Sequence, residues 1–287
     1  MCGIAHFKAP DGLLTLGFRL GKEVKIQQVN ADRGMEFPVL SLREFMEMET
    51  GQTFAAYSLP EIIENHVSIA TEIMQQVRPI EQYQKYLRFG AYPFYRESLD
   101  NYPAKLLEVI NLTIDSDLSS IYNIDPSKLD KLKKLLYMLC STAPVALNIS
   151  KLSSAVGTSW PTLSRYLESM RAGSLVHIIR GGSGMRTLNK PDKLLLDNTN
   201  VFHVLCATPN PGSLRESFFV SQLRSQHQVH YHDKGDFIVD DEWVFEIGGA
   251  KKTLKQLDGN PKGYAAIDNV VVGENRRIPL WLLGMGY

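Results

Sequence analysis

Hydrophobic residues change their spacing at about Gly173, and this change limits the folds open to the chain. From Ser41 to Gly173, apolar residues recur at i, i+3, i+4 and i+7, as on one face of an amphipathic helix. After it, short β-branched or aromatic runs such as LVHII, FIVDD and WVFEI are separated by turn residues, which is typical of strands. The sequence therefore predicts an α+β multidomain fold, with helices first and a mixed α/β unit last.

The same patterns divide the chain into four segments. These are an irregular lead-in or remnant at residues 1–40, a helical bundle at 41–125, a three-helix unit with a hairpin at 126–196, and an α/β domain at 197–287. Within the bundle, Ser58 is the predicted N-cap of a long helix. Gly90 and Pro93 are expected to end the helix that follows, and another helix is predicted from about Tyr102 to Ile121.

Residues 126–196 carry the local signals of a winged helix-turn-helix. The first helix has an apolar face of five leucines at helical spacing, Leu129, Leu132, Leu135, Leu136 and Leu139. Asn148 or Ser150 is expected to cap the second helix, whose Ala155 should point inward before a tight turn at Gly157. Ser159 is the predicted cap of the third helix. The run LVHIIR and a second run near Met185 to Leu188, joined by GGSG, predict the two strands of a wing.

The third helix of such a unit enters the major groove of DNA, with its early exposed positions facing the bases. The residues predicted to read base edges are Thr158, Ser159, Thr162 and Arg165. Those predicted to contact phosphates are Arg171, Arg180, Arg186 and Lys190. Because winged helices also serve protein contacts, a partner protein is the alternative.

The C-terminal segment contains an acidic trio. Its pattern predicts helix, strand, strand, strand, helix, with Glu216 on the first helix, Asp236 at the start of a strand and Glu246 on the next. A restriction-endonuclease-like fold gathers carboxylates in this order around Mg²⁺. Asp236 and Glu246 are thus candidate metal ligands, with Mg²⁺ or Mn²⁺ as the cofactor if the chain is a nuclease.

Catalysis is not the expected outcome, because Gly248 stands where such a nuclease needs its lysine. Only Lys251 or Lys252, reaching back, would supply that group. The histidines of HQVHYHDKGD are interpreted as surface strand residues, with a zinc or manganese site as the alternative. The aromatic residues of YLRFGAYPFY are interpreted as core packing, with base stacking as the alternative.

Charge and cysteine content add constraints on partners and location. Lys plus Arg and Asp plus Glu both total 31, so an anion-binding surface must be a local basic patch. Cys2, Cys140 and Cys206 are far apart and include no CxxC pair, so neither a thiol zinc site nor a disulfide framework is indicated, and a cytoplasmic location is predicted. Apolar runs stay shorter than the roughly 18 residues that span a bilayer, so no membrane partner is expected.

Several longer motifs resemble those of one family. YLRFGAYPFY, KPDKLLLDNTNV, GSLRESFF, DFIVDDEWVFEIGGAKK and RRIPLWLLGMGY are similar to an AAA-type ATPase family of bacteria and archaea with an uncharacterised C-terminal domain. The likeness spans about residues 38–287. It implies a P-loop ATPase domain before the helical region, and a winged helix and a restriction-endonuclease-like domain after it.

ATP chemistry is not expected in this chain. A Walker A loop needs GxxxxGK[ST], and the nearest sequence, GFRLGKE, is one residue short and ends in glutamate. The resemblance therefore predicts a non-catalytic remnant or C-terminal part of such an ATPase, with no cofactor of its own. It would bind DNA or a partner protein, such as an intact ATPase relative or a neighbouring protein. ATP and Mg²⁺ would belong to an upstream ATPase domain.

Overall fold

The computed structural model describes residues 4–8, 14–18, 39–141, 148–181, 191–257 and 259–287, the first two stretches and Ser141 by their main chain only. The fold is mixed α/β, with a helical part followed by a β-sheet toward the C-terminus. This order agrees with the change of hydrophobic spacing near Gly173.

The first strands lie where the sequence predicts an irregular segment. Strand β1 (Ile4–Lys8) pairs antiparallel with β2 (Leu14–Phe18), with Ile4 opposite Phe18. Glycines such as Gly12 and Gly17 break up the apolar stretches of this segment, so its sequence shows no sustained hydrophobic period. The hairpin is therefore an addition to the predicted fold.

Helices form the next part of the chain. They are α1 (Leu42–Thr50), α2 (Leu59–Met74), α3 (Pro79–Lys85), α4 (Tyr102–Leu112) and α5 (Ser119–Ile121). A π-helical turn extends α3 to Gly90, and another joins α4 to α5, so the predicted helix end at Gly90 and the predicted helix up to Ile121 are both confirmed. Ser58 caps α2 as predicted, and its hydroxyl accepts a hydrogen bond from the Glu61 N–H.

Three helices and a hairpin follow. They are α6 (Leu129–Ser141), α7 (Ile149–Val156), α8 (Trp160–Ala172), β3 (Val176–Ile179) and β4 (Lys193–Leu196). The five predicted leucines of α6 are buried, and Asn148 caps α7 through its contact with the Lys151 N–H. Two predictions are wrong: Ala155 is exposed, and β3 pairs with residues 193–196. The run from Met185 to Leu188, predicted as that strand, lies outside the described residues.

A five-stranded sheet forms the C-terminal part together with two helices. The helices are α9 (Thr199–Leu205) and α10 (Pro211–Leu223), and the strands are β5 (Val229–Tyr231), β6 (Phe237–Val239), β7 (Trp243–Gly248), β8 (Gly263–Ile267) and β9 (Arg277–Pro279). The strands lie in sequence order; β5 to β7 are antiparallel, and β7, β8 and β9 are parallel.

The predicted order of one helix and three strands is confirmed for α10, β5, β6 and β7. The predicted second helix is reduced to one 3₁₀ turn at Lys255–Leu257. Gly248 and Gly249 precede this segment, and an isolated helix of so few residues has little stability without a packed face.

The hairpin and the sheet are directly connected. The Tyr231 N–H of β5 donates to the Arg180 carbonyl just after β3, at 2.9 Å, and Tyr231 also bridges Gly181 in parallel. Helix α10 packs on both β4 and β7. The hairpin that follows α8 is therefore joined to the C-terminal sheet by main-chain bonds and by a shared helix.

One disulfide is present, which the cysteine pattern did not indicate. Cys140 at the end of α6 and Cys206 after α9 form a disulfide, with their Cα atoms 5.3 Å apart. The two residues are separated by 66 positions and meet only because α6 packs against α9, which cysteine spacing does not reveal. In the described parts of the chain, no helix is both long and apolar enough to cross a membrane.

Candidate functional site

Helix α8 is positioned by a tight turn after α7. Gly157 ends α7 with φ +68°, a left-handed conformation that glycine adopts without steric cost. Ser159 precedes the first residue of α8, but its hydroxyl lies 3.2 Å from the Thr162 hydroxyl and makes no capping bond to the main chain. The left-handed turn at Gly157 therefore precedes the start of α8. The Ser159 and Thr162 hydroxyls contact each other at the N-terminal end of this helix.

The faces of α8 differ in exposure. Leu163, Leu167 and Met170 are buried, as their spacing predicts. Among the residues predicted to read bases, Ser159 and Arg165 are exposed, whereas Thr158 and Thr162 are half-buried. The first turns of α8 thus present short hydroxyl side chains and one guanidinium group.

Two of the residues that were predicted to contact phosphates, Arg171 and Arg180, donate hydrogen bonds to a carboxylate. Glu168 of α8 accepts hydrogen bonds from Arg171 at 2.9 Å and from Arg180 at 2.6 Å. Burial opposes ionisation of Glu168, but these two bonds outweigh it and lower the pKa of the carboxyl. Arg171 and Arg180 are therefore partly neutralised. The other two predicted contacts, Arg186 and Lys190, lie outside the described residues.

The acidic residues of the C-terminal part form an unexpected cluster with Lys193. The Lys193 ammonium of β4 lies 2.9 Å from Glu216 Oε1 on α10 and 3.0 Å from Asp236 Oδ1 before β6. The other Asp236 oxygen accepts from the Ile247 N–H at 2.7 Å. The side chains of Lys193 and Glu216 are each 5% exposed, so this ion pair is almost fully withdrawn from water.

Sequence reasoning missed Lys193, although one signal for it exists. In the run KLLL, Lys193 and Leu195 occupy alternate positions and therefore face the same side of β4. Leu195 is buried, so the alternation also places Lys193 inside. The ammonium lies 4.9 Å from the ring centre of Phe237, close enough for a cation–π contact.

The cluster holds two carboxylates and one ammonium. Burial raises the pKa of Glu216 to about 7, and the nearby Asp236 carboxylate adds to this rise, against the opposing effect of Lys193. Burial disfavours the charged ammonium of Lys193, but the combined attraction to Glu216 and Asp236 is larger and raises its pKa. The other Glu216 oxygen, Oε2, is buried and makes no hydrogen bond to any described group. Lys193 therefore keeps its charge, and Glu216 is the carboxyl of the cluster that takes up a proton as the pH falls below about 7.

Glu246, the third acidic residue, is separated from this pair. It forms an ion pair with Lys252, and its side chain is 3% exposed. Lys252 thus reaches Glu246 as the sequence allowed, whereas Lys251 is exposed. In the parts of the chain that the structure describes, no group of three His, Cys, Asp or Glu side chains is placed to hold a metal ion. In the described structure, Asp236 and Glu246 instead pair with different lysines, Lys193 and Lys252.

The remaining candidates have structural contacts. His227 lies 2.6 Å from Asp240, and both His230 on β5 and His232 just after it are half-buried. In the aromatic segment, Tyr86, Phe94 and Tyr95 are buried, and Phe89 and Tyr92 pack against the same core. Asn200 of α9 joins this segment to the C-terminal half, since its amide donates to the carbonyls of Tyr86 and Leu87 at 3.0 Å. The aromatic segment is thus part of the core, as predicted.

Comparison with known proteins gives two matches. A family model described as a domain of unknown function (DUF8612) matches residues 80–209. The chain is also similar to "Uncharacterized protein MJ1637" of Methanocaldococcus jannaschii, at 22% identity over 276 residues, covering 86% of this chain and 58% of that protein. The chain therefore spans less than two thirds of this relative's length. No solved structure matches significantly. The family match runs from α3 through α9, so it includes Lys193 but neither Glu216 nor Asp236.

Proposed function

We propose that this chain is a non-catalytic protein that binds DNA through a winged helix-turn-helix made of α6, α7, α8 and the β3–β4 hairpin. The two faces of α8 are the observation that carries this proposal. One face packs into the core, while Ser159 and Arg165 near its start face water. A helix with exposed hydroxyl and guanidinium groups in its first turns suits the major groove, where these groups contact base edges.

Helices α6 and α7 of the same unit add exposed positive charge. Lys151 of α7 and Lys134 of α6 are exposed. Lys131 donates to the Gly157 carbonyl at 2.6 Å, so a third ammonium lies at the α7–α8 turn. Because the whole chain is neutral, affinity for DNA must come from this local group of cations.

DNA binding is tested with fluorescence anisotropy on duplex DNA over a series of salt concentrations. Arg165→Ala is expected to weaken binding by about 1–3 kcal/mol. Arg78→Ala is the matched control, since Arg78 is on the helical part, with a side chain 83% exposed and a nearby Glu81. Absence of salt-dependent binding, or equal affinities for the two variants, contradicts the proposal.

A protein partner is the alternative that the Glu168 contacts favour. With Arg171 and Arg180 held by a carboxylate, α8 offers fewer cations to phosphates than the sequence predicts. On the motif resemblance, that partner is an AAA-type ATPase, as an upstream domain or as a separate relative. Co-purification with such an ATPase, without any affinity for DNA, supports this alternative.

We expect no nuclease activity, because Asp236 and Glu246 do not share one partner: Asp236 pairs with the buried Lys193, whereas Glu246 pairs with Lys252. Incubation of the purified chain with plasmid and Mg²⁺ or Mn²⁺ tests this. Cleavage that is lost in Asp236→Ala would establish a restriction-endonuclease-like activity and overturn the non-catalytic proposal.

A further inference from the structure

The outward side of α8 carries a single charged residue that is fully exposed. All 13 residues of this helix are described, and the exposed ones are Pro161, Arg165 and Ala172. Their spacing of four and seven residues places them on one side of the helix, opposite the side that packs into the core. Arg165 is therefore the group on this side that can make directional polar contacts with a ligand.

The one carboxylate of α8 is engaged with other residues. Glu168 follows Arg165 by three positions, a spacing at which two helical side chains can pair. Instead, Glu168 Oε2 accepts from Arg171 at 2.9 Å and Oε1 accepts from Arg180 at 2.6 Å. Arg165 itself forms no hydrogen bond and no ion pair with any described residue. Its guanidinium group therefore keeps its N–H donors for a ligand.

A guanidinium group distinguishes among the bases that face the major groove. It carries N–H donors in a planar fork and has no acceptor. Guanine presents two acceptors in this groove, N7 and O6, and one fork can bond to both. Adenine presents one acceptor beside an amino donor, thymine presents one acceptor, and cytosine presents a donor. Guanine is therefore the base that matches an arginine side chain best.

We propose that Arg165 bonds to a guanine in the major groove, so that a G·C pair determines the specificity of the DNA site. This inference rests on the proposed function of α8. Arg165 is in the second turn of the helix, where the residues of a recognition helix face base edges. A contact to phosphate would give no preference among sequences. Dependence on guanine is therefore the property to test.

The first experiment selects binding sites from a DNA duplex library with a randomised core, using the full chain. The sites selected by the parent are expected to share a G·C pair. Arg165→Ala is expected to select sites in which this pair varies. Arg165→Gln is expected to favour A·T there, because glutamine bonds to adenine N6 and N7. Arg78→Ala is the control and should select the same sites as the parent. A circular dichroism melt shows that each variant is folded.

The second experiment replaces the shared guanine by 7-deazaguanine, which keeps its pairing with cytosine but lacks the N7 acceptor. Fluorescence anisotropy is expected to show that the parent binds this duplex about 10-fold more weakly. Arg165→Ala is expected to bind both duplexes with equal affinity, since it lacks the group that bonds N7.

Three results overturn the inference: parent sites that share no G·C pair, a G·C pair that stays fixed in the Arg165→Ala sites, and equal weakening of both proteins by 7-deazaguanine. In these cases the parent still binds DNA, so the proposed function survives. If the parent binds no DNA of the library, the proposed function fails and this inference fails with it.

Discussion

Glu216→Gln is expected to change how the stability of this protein depends on pH. Burial raises the pKa of Glu216 from its usual 4.5 to about 7, so the folded chain holds this proton more tightly than the unfolded chain. The stabilisation is complete below pH 4.5 and is lost as the pH rises through 7. Because a tenfold difference in proton affinity corresponds to about 1.4 kcal/mol, the loss is about 3 kcal/mol. Glutamine has the same shape and does not titrate, so its variant lacks this loss.

Urea unfolding of both proteins at about pH 4.5, 6 and 8, on either side of the raised pKa, measures the effect. The parent and Glu216→Gln are expected to be similarly stable at the lowest pH, and the variant is expected to be the more stable at the highest. Glu64→Gln, at an exposed position on α2, is the control and should follow the parent at every pH. A stability difference between parent and Glu216→Gln that is the same at every pH refutes the reasoning, since Glu216 would then be ionised throughout.

Three further changes test other parts of the fold. Lys193→Met is expected to lower the free energy of unfolding by about 3–5 kcal/mol above neutral pH, because it leaves two carboxylates without their buried partner; an unchanged urea midpoint would show that water solvates them. Reduction of the Cys140–Cys206 disulfide, whose residues are 66 positions apart, is expected to cost about 4 kcal/mol through the greater entropy of the unfolded chain. Thermal melts with and without reductant measure this, and a Cys140→Ser, Cys206→Ser variant should not respond to reductant; equal melts of the parent would contradict the assignment. Gly157→Ala is expected to cost about 1–2 kcal/mol, since alanine is disfavoured at φ +68° and no neighbour within 4 Å of the added methyl offsets this; an unchanged melting temperature would exclude the left-handed turn.

Features encoded over a few residues were predictable from the sequence. The cap at Ser58, the leucine face of α6 and the stripe of Leu163, Leu167 and Met170 on α8 all follow from local spacing and capping chemistry. The strands β5, β6 and β7 were predictable for the same reason. In each case, the residues that indicate the helix or strand lie within that helix or strand or next to its end.

Features that depend on distant contacts were not predictable. Lys193 meets Glu216 and Asp236 only after β4, α10 and β6 have packed together, and the ion pairs join residues 23 and 43 positions apart. The disulfide depends in the same way on the packing of α6 against α9. Glu246 lies on β7, whereas its partner Lys252 lies after the end of that strand. The order of the residues therefore suggested that Glu216, Asp236 and Glu246 form one acidic group. In the fold, Glu216 and Asp236 share Lys193, whereas Glu246 pairs with Lys252.

The β3–β4 hairpin, which follows α8, connects that helix to the C-terminal sheet. Main-chain bonds join Tyr231 of β5 to the end of β3, and the Lys193 cluster joins β4 to α10 and to the start of β6. The pairing of Lys193 with Glu216 Oε1 and Asp236 Oδ1 favours this arrangement, since a displacement would leave the buried ammonium without a partner in a medium of low polarity. A ligand that binds the early turns of α8 therefore meets a helix whose hairpin is fixed to the sheet.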